Sequence, residues 1–366
     1  MSDIDLSSIN WKRVDNTFSG ILDGNGYVVS GMSDTLFKYV EWGIIKNLGI
    51  SAELFDCSAA LAVQTINASL RNCYFEGSIT CLRKPVDELH AESAYPAAGL
   101  VYDAKDSTFI SCYNAGDITA ANLTAAGIVG SMGDGLIMNC FNSGTITHED
   151  KKDGNGRAAG LVGSAGCDES LVITYCYNAG IITSNGDSSG IAGYASAGKN
   201  GTTEISYCYN AGDIEGFNYN HRFSGASGIC SAGSINGGNI IIQDCYNSGK
   251  AHYGICGSYE RVENVYIENC YNAGQGERIW PGAAIANSCK NLTNCYFFDV
   301  PQSISATTDG ALFANVSRLT DTETKSEANY KGFNFDLFWQ MGSGDYPYPV
   351  FRETDSLGIY TTEAVG

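Results

Sequence analysis

A five-residue motif recurs along the chain and constrains its fold more than any other feature. Residues Cys112 to Gly116 read CYNAG, and the same motif opens at Cys176, Cys208 and Cys270. Aligning the chain on this cysteine gives eight units, separated by 25 to 39 residues, which open at Cys73, Cys112, Cys140, Cys176, Cys208, Cys245, Cys270 and Cys295. A fixed motif at a variable period indicates a constant structural unit whose loops change in length.

Three columns of the aligned units are nearly constant. The residue three before the cysteine is apolar in all eight units, and the residue after it is always Tyr or Phe. A glycine stands four residues after the cysteine in seven of the eight units. Because the same residue type returns at the same offset, equivalent side chains are expected to stack on one another, as in the rungs of a solenoid.

A second motif, built on Gly-(Leu/Ile), precedes the cysteine. Its glycine lies 13 to 18 residues before the cysteine of the same unit. The copies read AAGLV, AAGIVG, AAGLVG, SSGIAG, ASGIC and HYGICG, and they begin at Ala97, Ala125, Ala158, Ser188, Ala226 and His252. Six of the eight units thus carry both motifs, and each motif surrounds a short apolar stretch.

Each unit contains the signals for three short strands. One surrounds the Gly-(Leu/Ile) motif, a second ends at the cysteine, and a third often begins with an isoleucine after the later glycine, as at Ile118, Ile146, Ile182 and Ile214. Short strands with glycine bends and no helical period predict one rung of a parallel β-helix. We therefore predict an all-β chain that forms a right-handed parallel β-helix of about nine or ten rungs, the hand following from the bias of parallel crossovers.

The columns also predict where each rung turns. Residues three apart on a flat strand face opposite sides, so the apolar residue and the cysteine both point inward only if the chain bends between them. The residue before the cysteine is often Asn, as at Asn72 and Asn139, and Asn tolerates the left-handed backbone conformation. The Asn-(Ala/Ser)-Gly sequence after the cysteine predicts a second corner.

The charge balance excludes some partners. The 366 residues include 21 Lys and Arg against 40 Asp and Glu, which gives a net charge of −19. This balance argues against binding to nucleic acid and against docking on anionic membranes. No apolar run approaches the ~18 residues of a membrane span. Residues 1–16 lack the basic and apolar regions of a secretory signal, so we expect either action without that export route or a signal already removed.

The Gly-(Leu/Ile)-x-Gly cores resemble the repeats of GLUG-motif proteins, which are bacterial surface and secreted proteins. These cores stand at residues 127–130, 160–163, 190–193 and 254–257. The segments that begin at Phe18 and Leu319 resemble the opening rungs and the closing segment of the same family. The resemblance implies a bacterial or phage β-solenoid of the adhesin-like kind, and the family offers no agreed catalytic residues. Cys230, Cys256 and Tyr102 depart from the core pattern without changing the expected fold.

The repeats divide the chain into four regions. Residues 1–59 are predicted to form the N-terminal cap and first rungs, and residues 60–300 the stacked repeats. Residues 301–352 are predicted to cap the C-terminal end, where a strand edge would otherwise be exposed, with a short helix over 319–330. Residues 353–366 are interpreted as a tail or the start of a linker.

Two insertions in neighbouring units predict a binding surface on one flank. GFNYNHRF begins at Gly216 and AHYGICGSYE begins at Ala251. Aromatic rings next to Asn and Arg suit sugar rings or a protein partner. The candidate ligand-binding residues are Phe217, Tyr219, His221, Arg222, Tyr253, Tyr259 and Trp280. The alternative interpretation is that these side chains only cover a loop.

Fourteen cysteines raise the question of a metal or redox site. The chain contains no C-x-x-C, and its four histidines are not spaced as ligand pairs, so neither a metal nor a cofactor is predicted. The eight repeat cysteines are predicted to form a structural ladder of buried thiols, because free Cys packs as a small hydrophobe. Cys230 and Cys256 share a column one rung apart, and a disulfide between them is the alternative.

The acidic residues suggest weaker sites. Asp23-Gly24-Asn25-Gly26 is interpreted as a tight turn between strands rather than a calcium site, and HEDKKDGNGR from His148 as a solvated loop. A glycosidase needs paired carboxylates. The acidic pairs are interpreted first as exposed corner residues, and they are Asp103 with Asp106 and Asp117 with Asp213.

Three functions remain open at this point. The leading hypothesis is a non-enzymatic display or adhesion module, extracellular or on the cell surface, that binds a glycan or a host or cell-surface protein through lateral loops. The second is a polysaccharide-degrading enzyme or a phage tailspike, which needs two or three carboxylates on one lateral face. The third is a passive spacer, which has no ligand. The oligomeric state is left open.

Overall fold

In a computed structural model of the chain, the structure describes residues 2–82, 96–121, 124–149, 156–216, 225–233, 237–258, 264–274, 283–298 and 312–352. Within these residues the regular elements are strands and two 3-10 turns, at Glu323–Lys325 and Glu327–Asn329. Strands one rung apart pair in parallel, with equivalent residues in register. The predicted parallel β-helix is confirmed. No helix in the described part of the chain has the length and apolar character to span a membrane.

Two long sheets contain one strand from each successive rung. Sheet 1 has eight strands, at Phe37–Glu41, Ala62–Ile66, Val101–Lys105, Val129–Met132, Val162–Cys167, Ala192–Ala197, Cys230–Ala232 and Cys256–Ser258. Sheet 2 has eleven, at Ile21–Asp23, Ile44–Lys46, Ser69–Arg71, Ser107–Ile110, Gly135–Met138, Ser170–Thr174, Thr202–Ser206, Asn239–Gln243, Val265–Glu268, Asn291–Thr293 and Leu312–Ala314.

Sheet 3 has 16 strands and divides into two branches. Its undivided part consists of Ile4–Asp5, Val28–Ser30, Gly49–Phe55 and Tyr74–Cys81. The first branch consists of Tyr113–Asn114, Phe141–Asn142, Tyr177–Asn178, Tyr209–Asn210, Tyr246–Asn247, Tyr271–Asn272, Tyr296–Phe298 and Ser317–Leu319. The second branch consists of Asp117–Ala120, Ile146–His148, Ile182–Ser184 and Ile214–Gly216. Sheet 4 has five short strands, at Ala97–Ala98, Thr124–Ala126, Arg157–Ala159, Asp187–Ser189 and Ala226–Ser227.

Sheet 2 has more strands than the nine or ten rungs predicted. Its first two strands, Ile21–Asp23 and Ile44–Lys46, precede the first repeat cysteine and already pair in register. Its last strand, Leu312–Ala314, follows the last one and pairs with Asn291–Thr293. The ladder therefore continues at both ends into rungs that have no cysteine at that column.

The corner before each repeat cysteine is confirmed. All eight residues at that position have φ between 50° and 54°, which is the left-handed region. They are Asn72, Ser111, Asn139, Tyr175, Tyr207, Asp244, Asn269 and Asn294. The bend lets the apolar residue and the cysteine on either side of it point inward, as Ile137 and Cys140 do at 0% exposure.

The corner after the cysteine is built from a buried asparagine ladder. Along Asn114, Asn142, Asn178, Asn210, Asn247 and Asn272, each Nδ2 donates to the Oδ1 of the next at 2.7–2.8 Å. The same Nδ2 of Asn178 also donates to the carbonyl of Gly180 at 2.8 Å. Buried polar groups are tolerated when all their hydrogen bonds are made, so the asparagine ends the strand and closes the corner.

The undivided part of sheet 3 shows why the asparagine matters. Phe75 occupies the asparagine column there and is fully buried. Tyr74–Cys81 then continues as one eight-residue strand, which in the next rung pairs with both Tyr113–Asn114 and Asp117–Ala120. The asparagine side chain, which turns back to bond its own corner, is therefore what divides the sheet.

The repeat cysteines are buried thiols that line the inside of the helix. All eight are 0% exposed, and each donates to a backbone carbonyl two residues earlier, as Cys176 Sγ does to Thr174 at 3.1 Å. Burial raises the pKa of the Cys112 and Cys245 thiols well above its ordinary value. Such thiols stay neutral and pack as small apolar groups.

Residues 320–352, which we call the strap, pack against the side of the helix. The strap contains the two 3-10 turns and an antiparallel pair, Trp339–Met341 with Pro349–Phe351. Thr320 and Glu323 bond reciprocally in the manner of a capping box, but Ser326 is extended, so the predicted short helix is replaced by two separate 3-10 turns.

The described aromatic side chains of the strap form a cluster with Tyr246, Tyr271 and Tyr296 of sheet 3. The cap predicted over residues 301–352 includes residues 301–311, which lie outside the described residues, and it stays a prediction. Trp339 is fully buried in this cluster. The outward-facing aromatic column supplies the apolar surface that the strap buries, and this is the physical reason for its position.

Candidate binding groove

The outer face of sheet 1 carries a groove of about 580 Å³. Its floor contains Gln64, Asp103, Ser131 and Ser164, which pair in register across four successive rungs. The next residue along the three later strands, Ala104, Met132 or Ala165, is buried, so the floor residues face outward. With about 4.8 Å between neighbouring strands, these four rungs extend roughly 14 Å along the helix axis.

Small residues create the depression. Ser131 and Ser164 occupy the middle of the floor, and Gly133 and Gly166 lie beside them without side chains. In the rung after Ser164, the wall is formed by Tyr194. A chain of small residues followed by a bulky ring produces a concave polar surface on an otherwise flat sheet.

Tyr194 is fixed by its neighbours. The Arg157 guanidinium lies 4.0 Å from the centroid of the Tyr194 ring, in cation–π geometry, and Arg157 Nη1 donates to Ser164 Oγ at 3.4 Å. Gly233, in the next rung, leaves room for the ring, because a Cβ there would collide with it. The wall is therefore pre-organised, which lowers the entropy cost of binding.

Three carboxylates line the groove, from Asp103, Asp134 and Asp168. Asp103 Oδ2 accepts a hydrogen bond from Gln64 Nε2 at 2.7 Å. Asp134 Oδ1 accepts from the backbone amides of Glu169 and Ser170 at 2.8 and 2.7 Å, so it orders the neighbouring rung. Asp103 is the carboxylate of the floor itself.

The groove presents hydrogen-bonding groups and an aromatic ring on one surface. A carboxylate, an amide and two hydroxyls accept and donate hydrogen bonds to hydroxyl-rich ligands, and an aromatic ring packs against apolar sugar faces. These groups come from successive rungs at a regular spacing. A linear ligand can therefore lie along the helix axis and contact each rung in turn.

The candidate residues predicted from the insertions lie largely beyond what the structure describes. Phe217, Tyr219, His221, Arg222, Tyr259 and Trp280 are outside the described residues. Tyr253 is described and is 6% exposed; its backbone bridges Ser227 and its ring packs edge-on against His252. The surface formed by these seven residues stays a prediction, with Tyr253 as a buried member.

The sequence reasoning missed the groove, although signals for it were present. Asp103 was interpreted as an exposed corner residue, but it lies on the strand Val101–Lys105 and is half-buried on the groove floor. In three of the four Gly-(Leu/Ile)-x-Gly cores, the next residue is Ser131, Ser164 or Tyr194. This column carries the floor and the wall, and an alignment of that single column would have indicated them.

The other acidic candidates have structural roles. Asn25 and Gly26 have positive φ, and Asp23 accepts hydrogen bonds from Asn25 N and Asn47 Nδ2, which confirms a tight turn. Asp117 and Asp213 each accept from a backbone amide of the next rung, at 2.9 and 3.0 Å. Of the insertion after His148, residues 150–155 are outside the described residues.

Cys230 and Cys256 are free thiols in this structure. They pair in register on sheet 1, both are 0% exposed, and their sulfurs lie 3.8 Å apart. Among the described residues, no group of three or more His, Cys, Asp or Glu side chains is arranged to hold a metal ion.

Comparison with known proteins adds little to this geometry. No protein-family model matches the chain, and no curated protein matches it. A solved structure described as a putative immunoglobulin A1 protease from Bacteroides ovatus is similar, with 14% sequence identity and a TM-score of 0.32. The match covers 96% of this chain and 84% of that one. Such a score gives no information about activity.

Proposed function

We propose that this chain is a non-enzymatic β-helical display module that binds a glycan along the groove of sheet 1. The proposal places it in a GLUG-type surface or secreted bacterial protein, with a phage virion as the alternative setting. The proposal rests on the strand register of Gln64, Asp103, Ser131 and Ser164. This register places one polar side chain on each successive rung, at a regular spacing that an extended ligand can follow. Tyr194, held by Arg157, supplies the aromatic wall.

The buried thiols are compatible with such a setting. All fourteen cysteines are free and buried, so no thiol is presented to an oxidising solvent. The net charge of −19 favours solubility and an uncharged or cationic glycan over a polyanionic one. Lys105 and Arg157 lie beside the groove and give local positive charge, but the net charge of the chain stays negative.

A glycan-binding assay tests the proposal. The protein is applied to an array of bacterial and plant polysaccharides, and the dissociation constant of each retained glycan is measured by calorimetry. We expect Asp103→Ala and Tyr194→Ala to weaken binding at least tenfold, about 1.4 kcal/mol, because each removes a direct contact. Glu53→Gln, an exposed carboxylate on sheet 3, is the matched control for charge and should bind as the native chain does.

Two results would count against the proposal. If no glycan on the array is retained, the spacer hypothesis is favoured. If glycans are retained equally by the Asp103→Ala and Tyr194→Ala variants, the binding surface lies elsewhere on the chain. The insertions at Gly216 and Ala251 are then the next surface to shorten.

A second function is favoured by the three carboxylates of the groove. Asp103, Asp134 and Asp168 all line the groove, and enzymes that cleave polysaccharides use acidic groups. Asp134 Oδ1 accepts from two backbone amides and Asp103 Oδ2 accepts from Gln64, so both carboxylates are held in place. Incubation with the retained glycans, followed for new reducing ends and unsaturated sugars, decides between the two. Turnover that Asp103→Asn abolishes would establish the enzyme.

A further inference from the structure

A second lateral surface is formed by an aromatic ladder on sheet 3. Its members are the residues after the first seven repeat cysteines, Tyr74, Tyr113, Phe141, Tyr177, Tyr209, Tyr246 and Tyr271. Neighbouring ring centroids are 4.7–5.0 Å apart, and the interplanar angles are 2–6°. The rings are therefore stacked face on face, and each presents only its edge outward.

The strap covers the C-terminal half of this ladder with aromatic rings. The centroid of the Phe351 ring lies 5.5 Å from that of Tyr246 and 6.3 Å from that of Tyr209, with interplanar angles of 52° and 53°. The Trp339 ring lies 6.1 Å, centroid to centroid, from both Tyr246 and Tyr271, with interplanar angles of 55° and 57°. Inclined contacts of this kind satisfy the positive edge of one ring with the negative face of another. The molecule thus shows what kind of group fits the edges of the ladder.

The strap adds polar contacts at the ring tips. The Tyr271 hydroxyl bonds the Tyr346 hydroxyl at 3.0 Å and donates to the Pro349 carbonyl. The Tyr296 hydroxyl donates to the Lys331 carbonyl at 3.1 Å. The strap supplies both the rings and the backbone carbonyls that these contacts use.

The N-terminal half of the ladder has no such cover among the described residues. Tyr74, Tyr113, Phe141 and Tyr177 are half-buried, and their ring contacts within the described chain are to one another and to Tyr209. This half is continuous with the covered half in the same sheet. Four stacked rings, of which one is an apolar Phe, form an apolar stripe beside a surface the strap already uses.

The geometry distinguishes between kinds of ligand. A sugar packs against the face of an aromatic ring, and here both faces of Tyr113, Phe141 and Tyr177 are taken by the rings of neighbouring rungs. Aromatic side chains, by contrast, pack against ring edges, as Phe351 and Trp339 do. The carboxylates of Asp3 and Glu76 lie near enough to Tyr74 to raise its pKa, after the larger effect of burial. Their negative charge favours a ligand that carries Lys or Arg.

We propose that Tyr74, Tyr113, Phe141 and Tyr177 form a docking surface for an extended segment of a partner protein. That segment presents aromatic side chains to the ring edges, as the strap does, and carries basic residues near Asp3 and Glu76. This surface is separate from the groove of sheet 1, and it takes a polypeptide where the groove takes a glycan.

A peptide of the strap tests this surface. The probe is a synthetic, fluorescently labelled peptide of residues 330–352, titrated with the full-length protein and followed by anisotropy. We expect saturable binding that is at least tenfold weaker for Tyr113→Gln and for Phe141→Gln. Trp42→Gln, an aromatic residue that is 72% exposed and outside the ladder, is the matched control and should bind as the native chain does. A peptide with Phe338 and Trp339 replaced by Ser should lose binding.

A footprint of the native protein makes the test independent of how the variants fold. Hydroxyl-radical labelling of Tyr74 and Tyr113 should fall when the peptide is bound. Absence of binding, or equal binding by the Phe141→Gln variant with no protection of Tyr74 and Tyr113, would overturn the proposal. So would a dimer, seen by sedimentation, that Phe141→Gln abolishes and that blocks the peptide, because the occupant would then be a second copy.

Discussion

The buried asparagine ladder and the floor of the groove are both columns of side chains stacked rung on rung, yet they differ in composition. The ladder is Asn in all six rungs from Asn114 to Asn272. The floor reads Gln64, Asp103, Ser131 and Ser164. Inside the helix, each asparagine side chain hydrogen-bonds the asparagines of the rungs on either side, so the same residue type is needed in every rung. Outside it, solvent satisfies polar groups, and the column is free to vary with the ligand.

The largest expected effect comes from breaking the inner column. Asn178 makes three side-chain hydrogen bonds, to Asn142, Asn210 and Gly180. Asn178→Ala leaves buried donors and acceptors unpaired, so we expect the free energy of unfolding to fall by about 4 kcal/mol, measured by urea denaturation. Ser131→Ala on the groove floor is the control and should change it by less than about 0.5 kcal/mol. Equal losses at both sites would contradict the distinction between the two columns.

Two glycines, one in the interior and one in the groove, test the same contrast between inner and outer positions, because Gly→Ala adds a single methyl group at each. A Cβ at Gly160 would meet the Gly190 carbonyl oxygen and would lie 2.5 Å from Asn178 Oδ1. Gly160→Ala is expected to cost about 3 kcal/mol of unfolding free energy, seen as a lower thermal midpoint. A Cβ at Gly166, in the groove, meets only the Ser196 hydroxyl, which is free to rotate, so Gly166→Ala should stay near the native midpoint. A stable Gly160→Ala variant would show that the interior tolerates more than this packing implies.

A third test concerns the one acidic residue in the corner column. Asp244 stands where other rungs carry Asn, Ser or Tyr, and it accepts a hydrogen bond from Trp339 Nε1 of the strap at 3.3 Å. Burial raises its pKa from 3.8 to about 6, although hydrogen bonds from Trp339 and Asn269 act in the opposite direction. The folded state therefore holds this proton more tightly than the unfolded state does.

The sign of the pH dependence follows from that shift. The stability that the protonated Asp244 contributes is fully present below pH 3.8 and is lost as the pH rises through about 6. An Asp244→Asn variant, which cannot ionise, should gain stability relative to the native chain between pH 4 and pH 8, by up to about 3 kcal/mol. Denaturation curves of both proteins at several pH values measure the difference. A difference that does not vary with pH would show that Asp244 is solvated in the folded state.

The sequence determined the fold because the repeat is one-dimensional. Cys140, Phe141 and Asn142 each meet the same residue class in the next rung, so a pattern in sequence becomes a pattern in space without knowledge of distant contacts. The left-handed corners followed from the same columns. The strand pairing also continues into rungs where the cysteine motif is missing.

Only the tertiary structure decided which surfaces the rungs present. Gln64, Asp103 and Tyr194 lie far apart in sequence and come together because loops of unequal length return each strand to the same sheet. The strap packs its aromatic side chains against Tyr246 and Tyr271, a contact between residues far apart in sequence that the repeat pattern does not specify. The local repeat pattern therefore specifies the β-helix, whereas contacts between residues far apart in sequence specify its surfaces.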